Sequence, residues 1–465
     1  SSFSKFPTKQ FKKLFIVPLV EHQEKSARVE SLFATVRPKN TFGHIISNNG
    51  LRQLRVGESE KASHITYFFN GRRNEPFKGE DRIITPSPAP GDFIKYPGTS
   101  TKKVAELTAN ALKTGKYSFV FVNLAAGDII GHIDNWDANV KCANAVDNAL
   151  AIIRDTGLRN NYVVAVTADH GLLECAFNKD GTLNLGHTMS PVPFGIVGAK
   201  LEHVNIHRSC NSSKALCPTL ADVAPTLLNI MGLNASKEMT GIPLAILKSD
   251  NNPKKCVLVL LDGWGIGSED PLINPIAAAN VPVFTSIKNG VFYTELAASG
   301  QSVGLPAGRS GNSETGHLTI GAGRIIPQDE LRIAEAIKKD YLTNHDVLVR
   351  TCKKTMERNG AAHIVMMLSD KSSHGNINEG IAVTKAVSQN GLKEIYIHLI
   401  MDGRSAPPKG GGKLLHSLVE RIGSDVSAEI ITAIGRGYAL DRSGKYTEHT
   451  AIAYRGMVHG KGYKF

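Results

Sequence analysis

The chain is poor in several features that would place it in a specialised class. Its six cysteines, Cys142, Cys175, Cys210, Cys217, Cys256 and Cys352, are scattered through 465 residues without CxxC spacing. A reduced, cytosolic set of thiols is therefore expected. No run approaches the ~20 apolar residues that a membrane helix needs, so no membrane partner is expected. The opening SSFSKFPTKQFKK is basic and Ser-rich but lacks the apolar centre of a secretory signal. A cytoplasmic location is the expectation, with the stub of a transit peptide as the alternative. Positive charge is in excess, yet no basic run is interleaved with aromatics and no groove-reading motif is present, so nucleic acid is not an expected partner. Internal repeats and low-complexity tracts are also missing.

What remains is the composition of a globular protein, with 42% hydrophobic and 21% charged residues. A chain of 465 residues is too long for one ordinary core, so two domains are expected. The formal charge of +12 is read first as a solvated, lysine-rich surface. Its sharper reading is attraction of small anionic substrates.

Apolar, β-branched runs alternate with helical patterns, which predicts an α/β architecture. The helical KKVAELTANALK (102–113) precedes the strand-like YSFVFVNLA. NVKCANAVDNALAIIRDTG (139–157) has apolar residues at helical spacing, is expected to end on its Gly, and leads into NYVVAVTA. Such alternation suggests a mostly parallel sheet, and ligands of such sheets gather outside the carboxyl ends of the strands. Asp128, Asp169 and Asp262 each lie just past an apolar run, so one sheet edge can hold all three. The polar LKSDNNPKK (247–255) reads as a linker between the helical LADVAPTLLNIMGL (220–233) and a fresh strand, CVLVLLD. A second α/β pattern begins near residue 330 and includes AAHIVMMLSD, EIYIHLIMDG and SAEIITAIG.

Five short motifs carry metal-ligand residue types: VLVLLDGWG (257–265), GRSGNSETGH (308–317), FVFVNLAAGDIIGH (119–132), VVAVTADHG (163–171) and LGHTMSPVP (185–193). Together they offer Asp262, Ser313, Asp128, His132, Asp169, His170 and His187. Taken singly, an Asp at a strand end is a turn former and a lone His is a satisfied structural residue. Taken together, three carboxylates, three imidazoles and a hydroxyl suit two divalent cations. Asp128 and His132 converge if a helical turn follows the strand, while the adjacent Asp169 and His170 diverge and can address two different sites. Oxygen and nitrogen donors without thiolates favour Mn²⁺, Mg²⁺ or Zn²⁺. Ser313 sits in a Gly-rich segment where backbone can approach an anion closely. A serine needs a base or a metal to become a nucleophile, and two ions can supply that activation.

These motifs resemble the cofactor-independent phosphoglycerate mutases of the alkaline phosphatase superfamily. GNSETGHLTIGAGR, SEKASHITYFFNG, GEDR, TADHG, EMTG and the IH…MDGR stretch carry the resemblance, which extends over nearly the whole chain. It implies two α/β domains, an alkaline-phosphatase-like domain over 36–327 (with the linker 247–255) and a smaller transferase-like domain over 328–465 plus 1–35. It also implies two Mn²⁺ or Mg²⁺ ions, a small phosphorylated substrate, a phosphoserine intermediate, a place in glycolysis and a monomer. Carried over by position, Asp128, His132 and His187 match one metal site. Asp262, Ser313, Asp169 and His170 match the other, with Ser313 the nucleophile. Lys61 matches a phosphate-stabilising lysine. His374, Arg404, Arg436 and Arg442 match substrate-binding positions, where guanidinium forks suit carboxylate and phosphate.

The chain departs from the family pattern in four respects. The MTG segment precedes DGWG rather than following it, as in a circular permutation. An Arg-rich segment expected between AYRGMVHGKGYKF and KKLFIVPLVEHQE is not found. An expected GRD reads GRS, with Ser405 in place of an acid, and an expected SDGGVHSH reads SDKSSHGN (369–376), which keeps His374. Arg72, Arg73 and Lys371 are candidate substitutes for the lost cations, although an exposed basic loop is the preferred reading of all three. Because these departures concern substrate orientation and leave the metal motifs whole, two alternatives to a mutase stand beside it. One is a related phosphatase or phosphotransferase acting on another ester; the other is a non-catalytic binding protein on the same scaffold.

Overall fold

The computed structural model describes residues 5–21, 29–178, 181–203, 217–247, 254–370, 372, 374–403, 409–441, 443 and 446–464. Lys371, Arg404, Ser405, Arg442 and most of the 247–255 linker lie outside the described residues. The fold class is α/β, and the chain divides into two compact units, Val36–Gln328 and Ser1–Thr35 with Asp329–Phe465.

The larger unit contributes strands β1 (Gln53–Glu58), β2 (Glu80–Thr85), β3 (Phe119–Leu124), β4 (Tyr162–Thr167), β5 (Val192–Val197), β6 (Leu201–His203), β7 (Ala245–Leu247), β8 (Lys255–Leu261) and β9 (Phe292–Leu296). Seven of them form one sheet in the order β2-β1-β3-β8-β4-β5-β9. The pairs from β2 to β4 are parallel, and β5 is antiparallel to both β4 and β9. β6 and β7 form a separate antiparallel pair. A parallel strand covered by helices on both faces has no polar side, which explains the unbroken apolar runs VVAV and VLVLL. β3 and β4 are buried at every position, and β8 at every position after Lys255. The helix Thr101–Lys113 packs on β1 and β3, and the helix Trp136–Arg159 packs on β4.

That second helix corrects one expectation, because it runs two residues past Gly157 instead of ending there. Gly157 is needed for close packing: a Cβ on it would lie 2.9 Å from Val164 Cγ2 of β4. The chain turns instead at Asn160 and Asn161, the latter at φ 61°.

β1 was not evident from its sequence, QLRVGE, yet all six residues are buried. Arg55 is fully enclosed there, with Nη2 2.7 Å from Gln53 Oε1 and 3.9 Å from Glu80 Oε2. Its guanidinium lies over the rings of Phe69 and Phe119 at 4.8 and 5.7 Å. Burial lowers its pKa to about 10, against the pull of Glu80.

In the smaller unit β10 (Ala362–Leu368), β11 (Ile395–Met401) and β12 (Ala428–Gly435) form a parallel sheet in that order, with a register irregularity between Ile397 and His398. Met366, Leu368, Ile397 and Leu399 pack with Leu418 and Ile422 of the helix Gly411–Ile422 and with Ile377 and Ile381 of the helix Ile377–Gln389. Among the described residues, no helix is long and apolar enough to cross a membrane.

Candidate active site

Four adjacent parallel strands, β1, β3, β8 and β4, deliver the site residues from their carboxyl ends. β3 and β8 end level, with Leu124 opposite Leu261, and β4 ends at Thr167 opposite Leu260. Lys61 closes the single 3-10 turn Ser59–Lys61 after β1. Asp128 lies in the first turn of the short helix Ala126–Gly131 after β3, and His132 ends that helix. Asp262 follows β8 directly, and Asp169 and His170 follow β4. His187 comes from the loop before β5. Ser313 is the first residue of the helix Ser313–Ala322, whose N-terminus is capped by the Asn312 side chain accepting from Thr315 N.

The side chains converge. Lys61 Nζ lies 2.7 Å from each of Asp128 Oδ2, Asp262 Oδ1 and Ser313 Oγ. Ser313 Oγ is also 3.0 Å from His170 Nε2 and donates to Asp262 Oδ1 at 3.2 Å. His187 Nε2 is 3.1 Å from Asp128 Oδ1 and 3.2 Å from His132 Nε2, and His132 Nε2 is 3.4 Å from Asp128 Oδ1. The other nitrogens of the two imidazoles are fixed by backbone carbonyls: His187 Nδ1 by Gly311 at 2.8 Å, His132 Nδ1 by Leu185 at 2.8 Å. Each Nε2 is thereby free to face Asp128, the tautomeric arrangement common to metal-binding histidines.

Among the described residues the donors form three groups: Asp128, His132 and His187; Asp128, His170 and Asp262; and Asp169, Asp262 and His317. Asp169 and His170 thus fall in different groups, although the family resemblance would put both in one ligand set. Asp169 Oδ2 is buried without a hydrogen bond, with His317 Nδ1 3.2 Å away. A buried carboxylate oxygen with no donor is costly, unless a cation completes it. The donor set of oxygens and imidazole nitrogens, all enclosed apart from His132 and His187, has the makeup of a divalent-metal site.

Electrostatics follow from the crowding. Burial opposes the charge on Lys61, but Asp262, Asp128 and Asp169 outweigh it and raise its pKa. Burial also opposes ionisation of Asp128, yet Lys61, His132 and His187 hold it well below the usual carboxylate range. Asp169 is lowered in the same way, against burial, by His170, His317 and Lys61. Asp262 moves upward, through burial and the neighbouring Asp169 charge. Three carboxylates around one ammonium leave negative charge in excess.

Two contributors were missed in the sequence. Asn123, the lone polar residue of the buried run FVFVNL, donates from Nδ2 to Asp262 Oδ2 at 2.6 Å. His317 stands four residues after Ser313 on the same helix and bonds its carbonyl through Nδ1 at 2.8 Å. A polar side chain inside an apolar strand, and a histidine one turn from the candidate nucleophile, were the available signals.

Of the remaining candidates, His374 and Arg436 belong to the smaller unit. Arg436 Nη1 pairs with Asp402 Oδ1 at 3.2 Å, and Ser369 Oγ donates to Asp402 Oδ2 at 2.7 Å. The three follow β12, β11 and β10, so they share the carboxyl edge of that sheet. His374 lines a cavity of about 1020 Å³ in the same unit. In the larger unit Arg72 is engaged locally, bonding Gln328 Oε1 at 2.8 Å and Val36 O at 3.1 Å, and Arg73 bonds Glu75 O at 3.0 Å.

Residues 26–235 match the Metalloenzyme superfamily, a stretch that contains Lys61, Asp128, His132, Asp169, His170 and His187 but stops before Asp262 and Ser313. Residues 333–465 match the BPG-independent PGAM N-terminus. A domain described as an N-terminus therefore lies in the C-terminal third of this chain. Among curated proteins, a 2,3-bisphosphoglycerate-independent phosphoglycerate mutase of Ehrlichia canis (strain Jake) is 38% identical over 232 residues, covering 49% of this chain and 44% of that one. A protein of the same name from Gracilaria tenuistipitata var. liui is 36% identical, covering 54% and 48%. The match spans about half the length of these relatives. A crystal structure of Leishmania mexicana phosphoglycerate mutase at low cobalt concentration aligns with 28% identity over 44% of this chain and 38% of that one, at a TM-score of 0.39. The chain is thus similar over residues 26–235 to the Metalloenzyme superfamily and over residues 333–465 to the BPG-independent PGAM N-terminus, and the curated relatives it resembles over about half their length carry the name of 2,3-bisphosphoglycerate-independent phosphoglycerate mutases.

Proposed function

We propose that the protein interconverts 3- and 2-phosphoglycerate by passing the phosphoryl group through Ser313. The observation that carries this reading is the convergence on Ser313 Oγ, with Lys61 Nζ at 2.7 Å, His170 Nε2 at 3.0 Å and Asp262 Oδ1 at 3.2 Å. A hydroxyl so placed has an acceptor for its proton and an ammonium beside it to balance the charge left on oxygen.

Asp128, His132 and His187 would hold one divalent ion, and Asp262, Ser313, Asp169 and His170 the other; Mn²⁺ or Mg²⁺ is the proposed pair, with Zn²⁺ the third candidate. Two such ions supply a lowered hydroxyl pKa and neutralise the phosphoryl oxygens. The rest falls to the chain's own groups. Lys61, raised in pKa by its carboxylates, stays charged throughout the working pH range and can address an equatorial phosphoryl oxygen. A cavity of about 660 Å³, lined by Ser313, Lys61, Phe93, Ile129, His132 and His187 among others, has room for a three-carbon phosphoester. In the smaller domain Arg436 and His374, with Arg404 and Arg442, would bind the carboxylate and hydroxyls of the glycerate. Since Ser405 cannot supply a proton as an acid would, His374 or water would protonate the departing alkoxide. The whole is proposed to work as a monomer in the cytoplasm.

A ³¹P NMR time course of the enzyme with Mn²⁺ and 3-phosphoglycerate, alongside Ser313→Ala, tests the proposal. Appearance of 2-phosphoglycerate with the parent alone is the expected result. Inorganic phosphate without 2-phosphoglycerate would replace the mutase by a phosphatase. No change beyond the Ser313→Ala control would overturn both.

A further inference from the structure

Glu174 has no part in the chemistry described above, yet its carboxylate joins the loops that carry that chemistry. It is 2% exposed, and no cation pairs with it among the described residues. Three donors meet it instead. Leu172 N reaches Oε2 at 2.8 Å, Gly265 N reaches Oε2 at 3.0 Å, and Thr188 Oγ1 donates to Oε1. Each donor belongs to a different ligand-bearing segment. Leu172 lies two residues after His170, Gly265 three residues after Asp262, and Thr188 directly after His187. Backbone bonds brace the same junction, from Thr188 N to Gly171 O at 3.0 Å and from Leu173 N to Gly263 O at 2.9 Å. Gly265 makes the approach sterically feasible, since a Cβ there would lie 2.3 Å from Glu174 Cδ.

We infer that Glu174 is a positioning residue that sets the spacing of His170, His187 and Asp262 for metal binding. This rests on the metal reading proposed above. The physical basis is the number and kind of its partners. The two backbone N–H groups can only donate, and both reach Oε2, so that oxygen serves as an acceptor to two ligand-bearing segments at once while Oε1 takes the Thr188 hydroxyl of the third. A charged acceptor shared by three backbone segments holds them more firmly than neutral bonds would. Groups one step behind the ligands tune metal affinity by about 10–100-fold when they are lost.

Glu174→Gln isolates this role. It keeps the shape but turns an amide NH₂ toward at least one of the three donors. Asp147→Asn is the control: Asp147 is also a buried carboxylate of the same unit, accepting from Phe284 N at 2.7 Å and Val283 N at 3.1 Å, but on segments that bear no ligand. Calorimetric titration with Mn²⁺, together with the Mn²⁺ electron paramagnetic resonance spectrum, should show about 10–100-fold weaker binding and an altered spectrum for Glu174→Gln. Asp147→Asn should lose stability while keeping the parent's affinity and spectrum. Thr188→Val, which removes one of the three donors, serves if Glu174→Gln does not fold; a smaller fall in affinity is expected of it. Parent-like Mn²⁺ affinity in folded Glu174→Gln, or in Thr188→Val should the first not fold, would overturn the inference. Equal losses in Glu174→Gln and Asp147→Asn would reduce Glu174 to a general stabiliser and overturn it too. A parent protein that binds no Mn²⁺ would bring down the metal reading, and this inference with it.

Discussion

Replacing Lys61 by Met tests whether this ammonium balances the charge of the site. Its Nζ is 2.7 Å from both Asp128 Oδ2 and Asp262 Oδ1, and the side chain is almost fully buried. Without it, Asp128, Asp169 and Asp262 face one another with no fixed cation between them. Removing one partner of a buried pair costs about 3–5 kcal/mol. A second route gives a similar figure. The orphaned cluster can relieve itself by protonating one carboxyl at pH 7, and raising a pKa from about 3.9 to 7 costs about 4 kcal/mol. In EDTA the variant should therefore lose about 3–5 kcal/mol, a large part of the ~5–15 kcal/mol that holds a domain. With an m value of ~3 kcal/mol/M, the urea midpoint falls by about 1–1.7 M. Both tryptophans of the chain, Trp136 and Trp264, lie within Val36–Gln328, so their fluorescence reports this unit alone. Two further signs belong to the argument. Mn²⁺ should narrow the gap to the parent, because removing the ammonium leaves more negative charge for the ion and tightens its binding relative to the parent's, each tenfold in Kd adding about 1.4 kcal/mol to the variant at saturating Mn²⁺. Lowering the pH from 7 to 5 should also narrow it, because a carboxyl with a raised folded pKa makes the variant less stable as pH rises. An unchanged midpoint in EDTA, or a loss that neither Mn²⁺ nor acid reduces, would refute the reasoning.

Asn123→Leu should leave Asp262 Oδ2 without its 2.6 Å donor; Mn²⁺ binding by titration calorimetry should weaken by about 10–100-fold, and parent affinity would show that Asn123 has no influence on the ligand. Arg55→Ala should cost about 3–5 kcal/mol in urea melts, whereas Arg55→Met should cost less, since Glu80 keeps Arg82 at 2.6 Å and Asn70 at 2.7 Å as partners; equal losses would point to packing alone. His64, whose pKa is lowered to about 3 by burial and by the charges of His317 and Lys61, has a buried Nδ1 with no partner. The unfolded chain takes up this proton near pH 6.5 and the folded chain does not, so His64 makes stability fall as pH drops from about 6.5 toward 3, by about 2 kcal/mol at pH 5. His64→Phe should flatten that part of the stability–pH curve measured by urea midpoints, and an unaltered slope would reject the assignment.

The sequence made the gathering of these side chains legible because the candidates sit where the periodicity breaks. Asp128, Asp169 and Asp262 each come after a run so apolar that it can be accommodated only as an interior parallel strand, and such strands deliver the residues beyond their carboxyl ends to one edge. The same logic failed for β1, whose QLRVGE pattern carries Gln53 and Arg55 into the interior; their burial depends on Glu80 and Asn70, distant residues that no local window contains. It also failed at Gly157, where a residue type that commonly ends helices serves helix-to-strand contact instead. Strand order was the deeper obstacle. β8 enters the sheet between β3 and β4 although 87 residues separate it from the end of β4, counting from Thr167 to Lys255. That insertion brings Asp262 between Asp128 and Asp169, with Asn123 of β3 against it. Residues whose role depends on it, such as Asn123, His317 and Glu174, are therefore the ones a linear pattern leaves out. The candidate ligands stood in local motifs, while the groups that contact them were determined by which strand lies next to which.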